Sequence, residues 1–183
     1  MDRAAGAPPA YDHRVEIHGR QVVLRPAVDA DAPTLAAILS EPSVGRWWPT
    51  HDLQRVESEL LRPDPDVAVH VIELDGRVVG LIQTTEEPDP EFRHAAIDLF
   101  LTADAQGRGL GPDAIRAMAT ELFERRGHHR ITIDPALDNT AAIRAYEKVG
   151  FRAVGRLRRY QRMPDGTWID GLLMELLEDE LRG

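Results

Sequence analysis

A glycine-rich segment limits the folds open to this chain more than any other part of its sequence. The segment is Gln106-Gly107-Arg108-Gly109-Leu110-Gly111, and it lies between an apolar run, 95–101, and a helical pattern, 112–126. Glycines let backbone N–H groups come close to a ligand, and a helix start offers unpaired N–H groups at the positive end of its dipole. The pattern therefore predicts either a cradle for a pyrophosphate or a tight turn without a ligand.

The glycine spacing excludes two widespread phosphate-binding patterns. No Gly-Lys-Ser/Thr sequence follows the segment, as a P-loop requires, and the G-x-G-x-x-G order of dinucleotide-binding folds is absent. Any phosphate site here belongs to another kind of strand–loop–helix unit.

Strands and helices alternate along the rest of the chain. Two β-rich runs, Val67–Leu74 and Arg77–Thr84, flank the hairpin signal Asp75-Gly76, and two further strands are predicted around Pro164-Asp165-Gly166. Between them lie a short strand, 130–133, and a helix that stops at Gly150. We therefore predict one domain over residues 14–183, of α+β (mixed α/β) class, after a flexible tail over residues 1–13.

The amino-acid composition limits the partners and the kinds of site that this chain can have. The formal charge is −9, which disfavours nucleic acid and attracts cations, or serves solubility alone. The absence of cysteine excludes disulfides, thiolate metal sites and a cysteine nucleophile. No apolar run reaches the roughly 20 residues of a membrane span, and no signal peptide is evident, so we expect a cytoplasmic protein without a membrane partner. His128-His129 fits a helix end better than a metal site, and no metal is expected.

Two segments carry a resemblance to a known family. Gln106-x-x-Gly109-x-Gly111 after an apolar strand resembles motif A of the GNAT acetyltransferases, which binds the CoA pyrophosphate. The segment 139–151, Asn-Thr-Ala-Ala-Ile-Arg-Ala-Tyr-Glu-Lys-Val-Gly-Phe, resembles motif B. The resemblance spans about Leu24 to Leu176. It implies a central twisted mixed sheet of about seven strands flanked by about four helices, with acetyl-CoA as co-substrate.

The resemblance also implies which residues hold acetyl-CoA. They are the end of the strand and both motifs: Leu101, Gln106, Gly107, Arg108, Gly109, Leu110, Gly111, Asn139 and Ala142.

The likeness is strongest to the aminoglycoside 6′-N-acetyltransferases. Trp47-Trp48, Ile97-Asp98 and Ile133-Asp134-Pro135-x-x-x-Asn139 carry it, whereas the loop Thr85–His94 is shorter than in many enzymes of that type. The expected acceptor is a small cationic amine, foremost an aminoglycoside 6′-amine. A siderophore lysine or other metabolite amine, a protein N-terminus or lysine, and a silent acyl-CoA-binding module remain alternatives. The resemblance allows a monomer or a homodimer.

Two residues are candidates for proton transfer. Asp98 is a carboxylate inside an apolar strand, so it is either the base that deprotonates the amine or half of a structural ion pair. Tyr146 is either the acid that reprotonates the CoA thiolate or a packed aromatic.

Acidic and aromatic residues are candidates for the acceptor site. The acidic loop around Glu86 is either part of that site or a solvated turn. The predicted substrate-binding residues are Trp47, Trp48, Glu86, Glu87, Asp98 and Asp134.

Overall fold

The computed structural model describes residues 15–48, 52–87 and 89–183. The predicted tail, 1–13, lies outside the described residues. The strands are β1 (Ile17–His18), β2 (Val23–Pro26), β3 (Val67–Leu74), β4 (Arg77–Glu86), β5 (Ala95–Leu101), β6 (Arg130–Ile133), β7 (Arg152–Arg162) and β8 (Trp168–Leu177).

The helices are short, and two of them end in a wider turn. They are α1 (Ala32–Leu39), α2 (Pro42–Gly45), α3 (Leu53–Arg55), α4 (Leu110–Thr120) and α5 (Thr140–Val149). Turns of π type, Val56–Leu60 and Glu121–Arg125, continue α3 and α4. Helix α2 begins at Pro42, which follows an extended Glu41 and suits the first helical position.

One mixed sheet forms the centre of the fold. Its strand order is β1-β2-β3-β4-β5-β6-β8-β7, and every neighbouring pair is antiparallel except β5 with β6. The sheet thus confirms the predicted α+β class and the predicted hairpin β3–β4. None of the helices in the described ranges is long and apolar enough to cross a membrane.

Helices cover both faces of the sheet. On one face α4 packs through Ile115 and Met118, and the π turn after it packs through Leu122, in the larger hydrophobic core. On the other face α1 and the α3 segment pack on Leu81 and Phe100. Each fully buried aliphatic side chain contributes about 1.5–3 kcal/mol relative to exposure. The two layers hold β5 rigidly between them, and β5 carries Asp98.

Candidate active site

The sheet opens between its two parallel strands. β5 and β6 pair only at Ala95 with Ile131 and at Ala96 with Thr132, and the strands diverge beyond these residues. On the other side of β5, the N–H of Thr102 donates to the carbonyl of Val79 at 2.8 Å. Because an antiparallel ladder alternates, the N–H groups of Leu99 and Leu101 then point away from β4 and into the opening. The N–H of Leu99 donates to the carboxylate of Asp98 at 2.9 Å, so the N–H of Leu101 is the donor that this half of β5 offers to a ligand.

A first cavity, of about 400 Å³, lies at the end of this opening. The glycine segment closes one side, and the start of α5 closes the other. Gly109 precedes α4 with a φ of 82°, a left-handed conformation that favours glycine. Asn139 caps α5 through a hydrogen bond from the N–H of Ala142 to its Oδ1, at 3.2 Å. Two helix N-termini thus border one cavity, an arrangement that suits a pyrophosphate.

Most of the predicted cofactor residues line the first cavity. They are Leu101, Gln106, Gly107, Gly109, Gly111, Asn139 and Ala142. The amide of Gln106 donates to the carbonyl of Leu101 at 2.8 Å and fixes the strand end. Arg108 is exposed beside the cavity, without a place in its lining. The side chain of Leu110 is 1% exposed and belongs to the core, so only its backbone can serve a ligand.

Sequence reasoning missed two cations of this cavity. Arg144 and Lys148 both line it from α5. They are four residues apart and so lie on one face of α5, which helical periodicity places opposite the face of Ala142 and Tyr146. That spacing was the available signal, and the pair adds positive charge beside the two helix starts.

A second cavity, of about 480 Å³, adjoins the first. Five residues line both: Trp47, Trp48, Leu99, Asn139 and Tyr146. The second cavity alone contains Asp98, Asp134 and Tyr160. The structure therefore brings together both predicted tryptophans, two of the four predicted carboxylates and the predicted tyrosine.

Asp98 lies on the floor of the second cavity. The residue as a whole is exposed to the open cavity, but protein atoms surround its carboxylate. Burial, and then the negative charge of Asp134, raise the pKa of Asp98 to about 7, while a 2.9 Å hydrogen bond from the N–H of Leu99 lowers it. No cation of the described residues pairs with Asp98, so the structural ion pair is absent there. The carboxyl group can both take up and release a proton near neutral pH.

Asp134 follows β6 and faces the same cavity. Burial raises the pKa of Asp134, and a 2.8 Å hydrogen bond from the hydroxyl of Tyr160 opposes that rise. The same bond and the charge of Asp134, after burial, raise the pKa of Tyr160 to about 12. Tyr160 was not predicted, because nothing in its exposed β7 pattern marks it in the sequence.

Tyr146 stands where the cavities meet. Its residue is 9% exposed, and its ring lies 6.2 Å from that of Phe151. Burial, with the negative charges of Asp98 and Asp134, raises the pKa of Tyr146. Because the hydroxyl stays protonated through the neutral range, it can serve as a proton donor.

The two tryptophans form the aromatic wall of the cleft. Both are half-buried. Trp48 packs edge-on against Phe100 with ring centroids 4.9 Å apart, and the guanidinium of Arg46 lies 4.5 Å from the centroid of Trp47. Trp48 therefore packs against the core, whereas Trp47 is contacted by an arginine at the surface.

The acidic loop does not contribute to the cleft. Glu86 faces elsewhere: its carboxylate contacts Nε2 of buried His128 at 2.8 Å and pairs with Arg126. These partners lower the pKa of Glu86 against the effect of burial. Glu87 accepts the N–H of Asp89 at 3.0 Å within its own turn. Glu86 and Glu87 line neither cavity, so the structure does not bring them to the other predicted substrate-binding residues.

Another carboxylate, Glu41, links the start of α2 to the end of β5. It accepts the hydroxyl of Thr102 and the N–H of Ala103, both at 2.6 Å. Thr102 follows β5, and Glu41 precedes the helix that leads to the tryptophans.

In the described parts of the chain, no group of three or more acidic or histidine side chains could hold a metal ion.

Comparison with known proteins places this geometry in a family. The model of the acetyltransferase (GNAT) domain matches residues 21–152. Aminoglycoside N(6′)-acetyltransferase type 1 of Klebsiella pneumoniae is 30% identical over 164 residues, 79% of each chain. The structure of Mycobacterium smegmatis RimJ with CoA-disulfide matches with a TM-score of 0.81 at 26% identity, covering 93% of this chain and 90% of that one.

A second solved structure matches with a ligand in place. AAC(6′)-Ib in complex with paromomycin and acetyl-CoA has a TM-score of 0.72 at 26% identity, over 87% of this chain and 95% of that one.

Proposed function

Because the chain belongs to the GNAT family of acetyltransferases, we propose that this acetyl-CoA-dependent N-acetyltransferase acts on small polycationic amines, foremost the 6′-amine of an aminoglycoside. The observation that carries the proposal is the pair of carboxylates, Asp98 and Asp134, that share one cavity with an aromatic wall. Carboxylates attract ammonium groups, and tryptophan rings pack well against sugar rings and cations. Similarity to the Klebsiella enzyme supports the same acceptor class.

The first cavity suits acetyl-CoA, which supplies the acetyl thioester. Backbone N–H groups of the glycine segment and of the α5 start would bind the pyrophosphate, with Arg144 and Lys148 adding charge. The N–H of Leu101, on the diverging half of β5, would donate to the pantetheine arm or to the thioester oxygen as it becomes negative.

Asp98 is the proposed base. An aliphatic ammonium cannot attack a thioester until it loses a proton, and Asp98 accepts that proton directly or through water. A pKa of about 7 suits this task, since a base works best when its pKa is near the operating pH. The neutral amine then forms its C–N bond to the acetyl carbon, and the C–S bond breaks.

Tyr146 is the proposed acid. Its hydroxyl, at the junction of the cavities, would give a proton to the departing thiolate. The nitrogen loses a second proton after the C–N bond forms. Of the two protons that leave the ammonium group, one ends on the CoA sulfur through Tyr146 and the other is released to water, so that Asp98 and Tyr146 return to their starting states. At neutral pH the hydroxyl is protonated, as a proton donor must be, while its raised pKa makes it a weak acid; its position at the junction is what supports the role.

Thiol release from acetyl-CoA tests the proposal. The panel is kanamycin, tobramycin, lysine, spermidine and a short peptide, and the site of acetylation is read by NMR of the product. We expect rapid release with the aminoglycosides and acetylation at the 6′-amine. Release only with lysine, spermidine or the peptide would discard the aminoglycoside acceptor.

A matched pair of variants ties turnover to the cleft. Asp98→Asn removes the proposed base, whereas Glu87→Gln removes a carboxylate outside the cleft. We expect the first to lose turnover and the second to keep it. Equal turnover in both variants would remove Asp98 from the mechanism.

A further inference from the structure

Strand β7 contains an irregularity beside the acceptor cavity. Leu157 pairs with Gly171 and Gln161 with Ile169, so β7 advances four residues while β8 advances two. Arg159, within this bulge, has a φ of 49°, which is uncommon for a residue with a side chain. Its N–H donates to Oδ1 of Asp170 at 2.7 Å and fixes the bulge to β8.

The bulge directs two adjacent side chains into one cavity. Neighbours in a regular strand point to opposite faces of the sheet. Here the hydroxyl of Tyr160 donates to Oδ2 of Asp134 at 2.8 Å, and the amide of Gln161 donates to the carbonyl of Trp47 at 3.1 Å. Both residues line the second cavity. Side chains of a bulge at the edge of the sheet thus contact both Asp134 and the aromatic wall of the cavity.

The ring of Tyr160 rests on a glycine. A Cβ added to Gly171 would lie 2.9 Å from Cδ1 of Tyr160, so any larger residue there displaces the ring. Tyr160 remains 48% exposed, and burial alone does not fix it. The contact with Gly171 and the hydrogen bond to Asp134 therefore determine where the hydroxyl lies.

We propose that Tyr160 is a positioning residue that holds Asp134 ionised and oriented for a second ammonium group of the acceptor. Asp98 serves the reacting amine, and Asp134 binds a charge elsewhere on the same molecule. Tyr160 thereby selects polycationic acceptors over acceptors with one amine. The inference rests on the proposed function.

The chemistry follows from the hydrogen bond. A phenol that donates to a carboxylate stabilises its charged form, and this bond opposes the effect of burial on the pKa of Asp134. Without it, Asp134 would be protonated over a wider pH range and would be free to turn. A hydrogen bond to a charged group is worth about tenfold or more in affinity.

Steady-state kinetics of Tyr160→Phe tests the selection. The acceptors are tobramycin and 6-amino-6-deoxyglucose, which carries one ammonium group. We expect the KM of tobramycin to rise about tenfold, with kcat and the KM of acetyl-CoA changed by less than about twofold. The monoamine should lose less than about twofold in kcat/KM. Gly171→Ala, which keeps the hydroxyl but moves it, should behave like Tyr160→Phe.

Trp168→Phe is the matched control, because Trp168 is an exposed aromatic of the same hairpin outside the cavity lining. It should match the wild type for both acceptors. An unchanged tobramycin KM in Tyr160→Phe, or an equal loss for both acceptors, would overturn the inference.

A second readout does not need turnover. Carboxyl-carbon NMR titration, with the Asp134 signal assigned through Asp134→Asn, should give a higher pKa for Asp134 in Tyr160→Phe than in the wild type. If the wild type acetylates none of the amines, the proposed function fails, and this titration still decides the role of Tyr160. An unchanged pKa of Asp134 would overturn that role.

Discussion

The cleft has a cofactor half, which is the first cavity, and an acceptor half, which is the second cavity. The two are built in opposite ways. The cofactor half consists mainly of backbone: the glycine segment, the starts of α4 and α5, and the unpaired edge of β5. The acceptor half consists of side chains from separate parts of the chain, among them Trp47, Asp98, Asp134 and Tyr160. A backbone site needs a short contiguous pattern, whereas a side-chain site needs the whole topology to bring its parts together. Tyr146, at the junction, belongs to both.

This difference separates what each half can recognise. Backbone donors at helix starts bind a pyrophosphate whatever side chains surround them. Carboxylates and aromatic rings respond to the charge and shape of the acceptor, and single substitutions alter them. Changes in the cofactor half should therefore affect every reaction of the protein, and changes in the acceptor half should affect some acceptors more than others.

The largest effect is expected from Asp98→Asn. Removal of a general base costs about 10²–10⁴-fold in rate, so kcat should fall by that range. Acetyl-CoA binding, measured by calorimetry, should stay as in the wild type because Asp98 lies outside the first cavity. A parallel loss of acetyl-CoA affinity would show that the two halves are not separable.

Gly109→Ala should damage the cofactor half alone. Its φ of 82° costs an alanine about 1–2 kcal/mol, and no atom lies within 4 Å of an added Cβ, so the effect is conformational. We expect the KM of acetyl-CoA to rise about tenfold, with the order of acceptor preference unchanged. Gly155→Ala, where an added Cβ also meets nothing within 4 Å, is the control. Altered acceptor preference in Gly109→Ala would contradict the separation.

The pH dependence tests the coupling inside the acceptor half. In the wild type, kcat/KM should fall as the pH drops below about 7, because Asp98 becomes protonated. Since the charge of Asp134 helps raise that pKa, Asp134→Asn should move the fall to lower pH. A pH profile of identical shape in both proteins would refute the coupling.

The same raised pKa predicts a stability effect of definite sign. A carboxyl with a higher pKa in the folded than in the unfolded state binds its proton better when folded. Its contribution to stability is therefore complete at acidic pH and is lost as the pH rises from near 3.8 through about 7. Denaturant unfolding should show this loss in the wild type and not in Asp98→Asn. An identical pH dependence in both would contradict the assigned pKa.

The smallest effect is expected from Glu87→Gln. Its carboxylate serves a local turn and does not line either cavity. The KM of tobramycin and that of acetyl-CoA should each change by less than about twofold, as for most surface substitutions. A clear rise in the tobramycin KM would extend the acceptor half to the acidic loop.

Seven of the nine residues predicted to hold acetyl-CoA line the first cavity, because their sequence signals are local. Gly109 precedes the helix in the pattern, and Asn139 caps α5 as its residue type indicates. In the acceptor half, Asp98 stood out because a carboxylate interrupts an apolar strand. Tyr160 did not, since only a bulge turns it toward the cavity. Glu86 does not reach the cavity, because it pairs with Arg126 and His128, and the sequence does not reveal these partners.

The carboxylate of Asp113, in the first turn of α4, links the cradle to the start of the described chain. It accepts the N–H groups of Arg20, Gln21 and Val22 at 3.0, 2.7 and 3.2 Å. These contacts join segments more than 90 residues apart in sequence. We expect acetyl-CoA, which would hold α4 in place, to slow amide exchange at this distant turn. Unchanged exchange at Arg20 to Val22 would mean that the turn opens independently of the cradle.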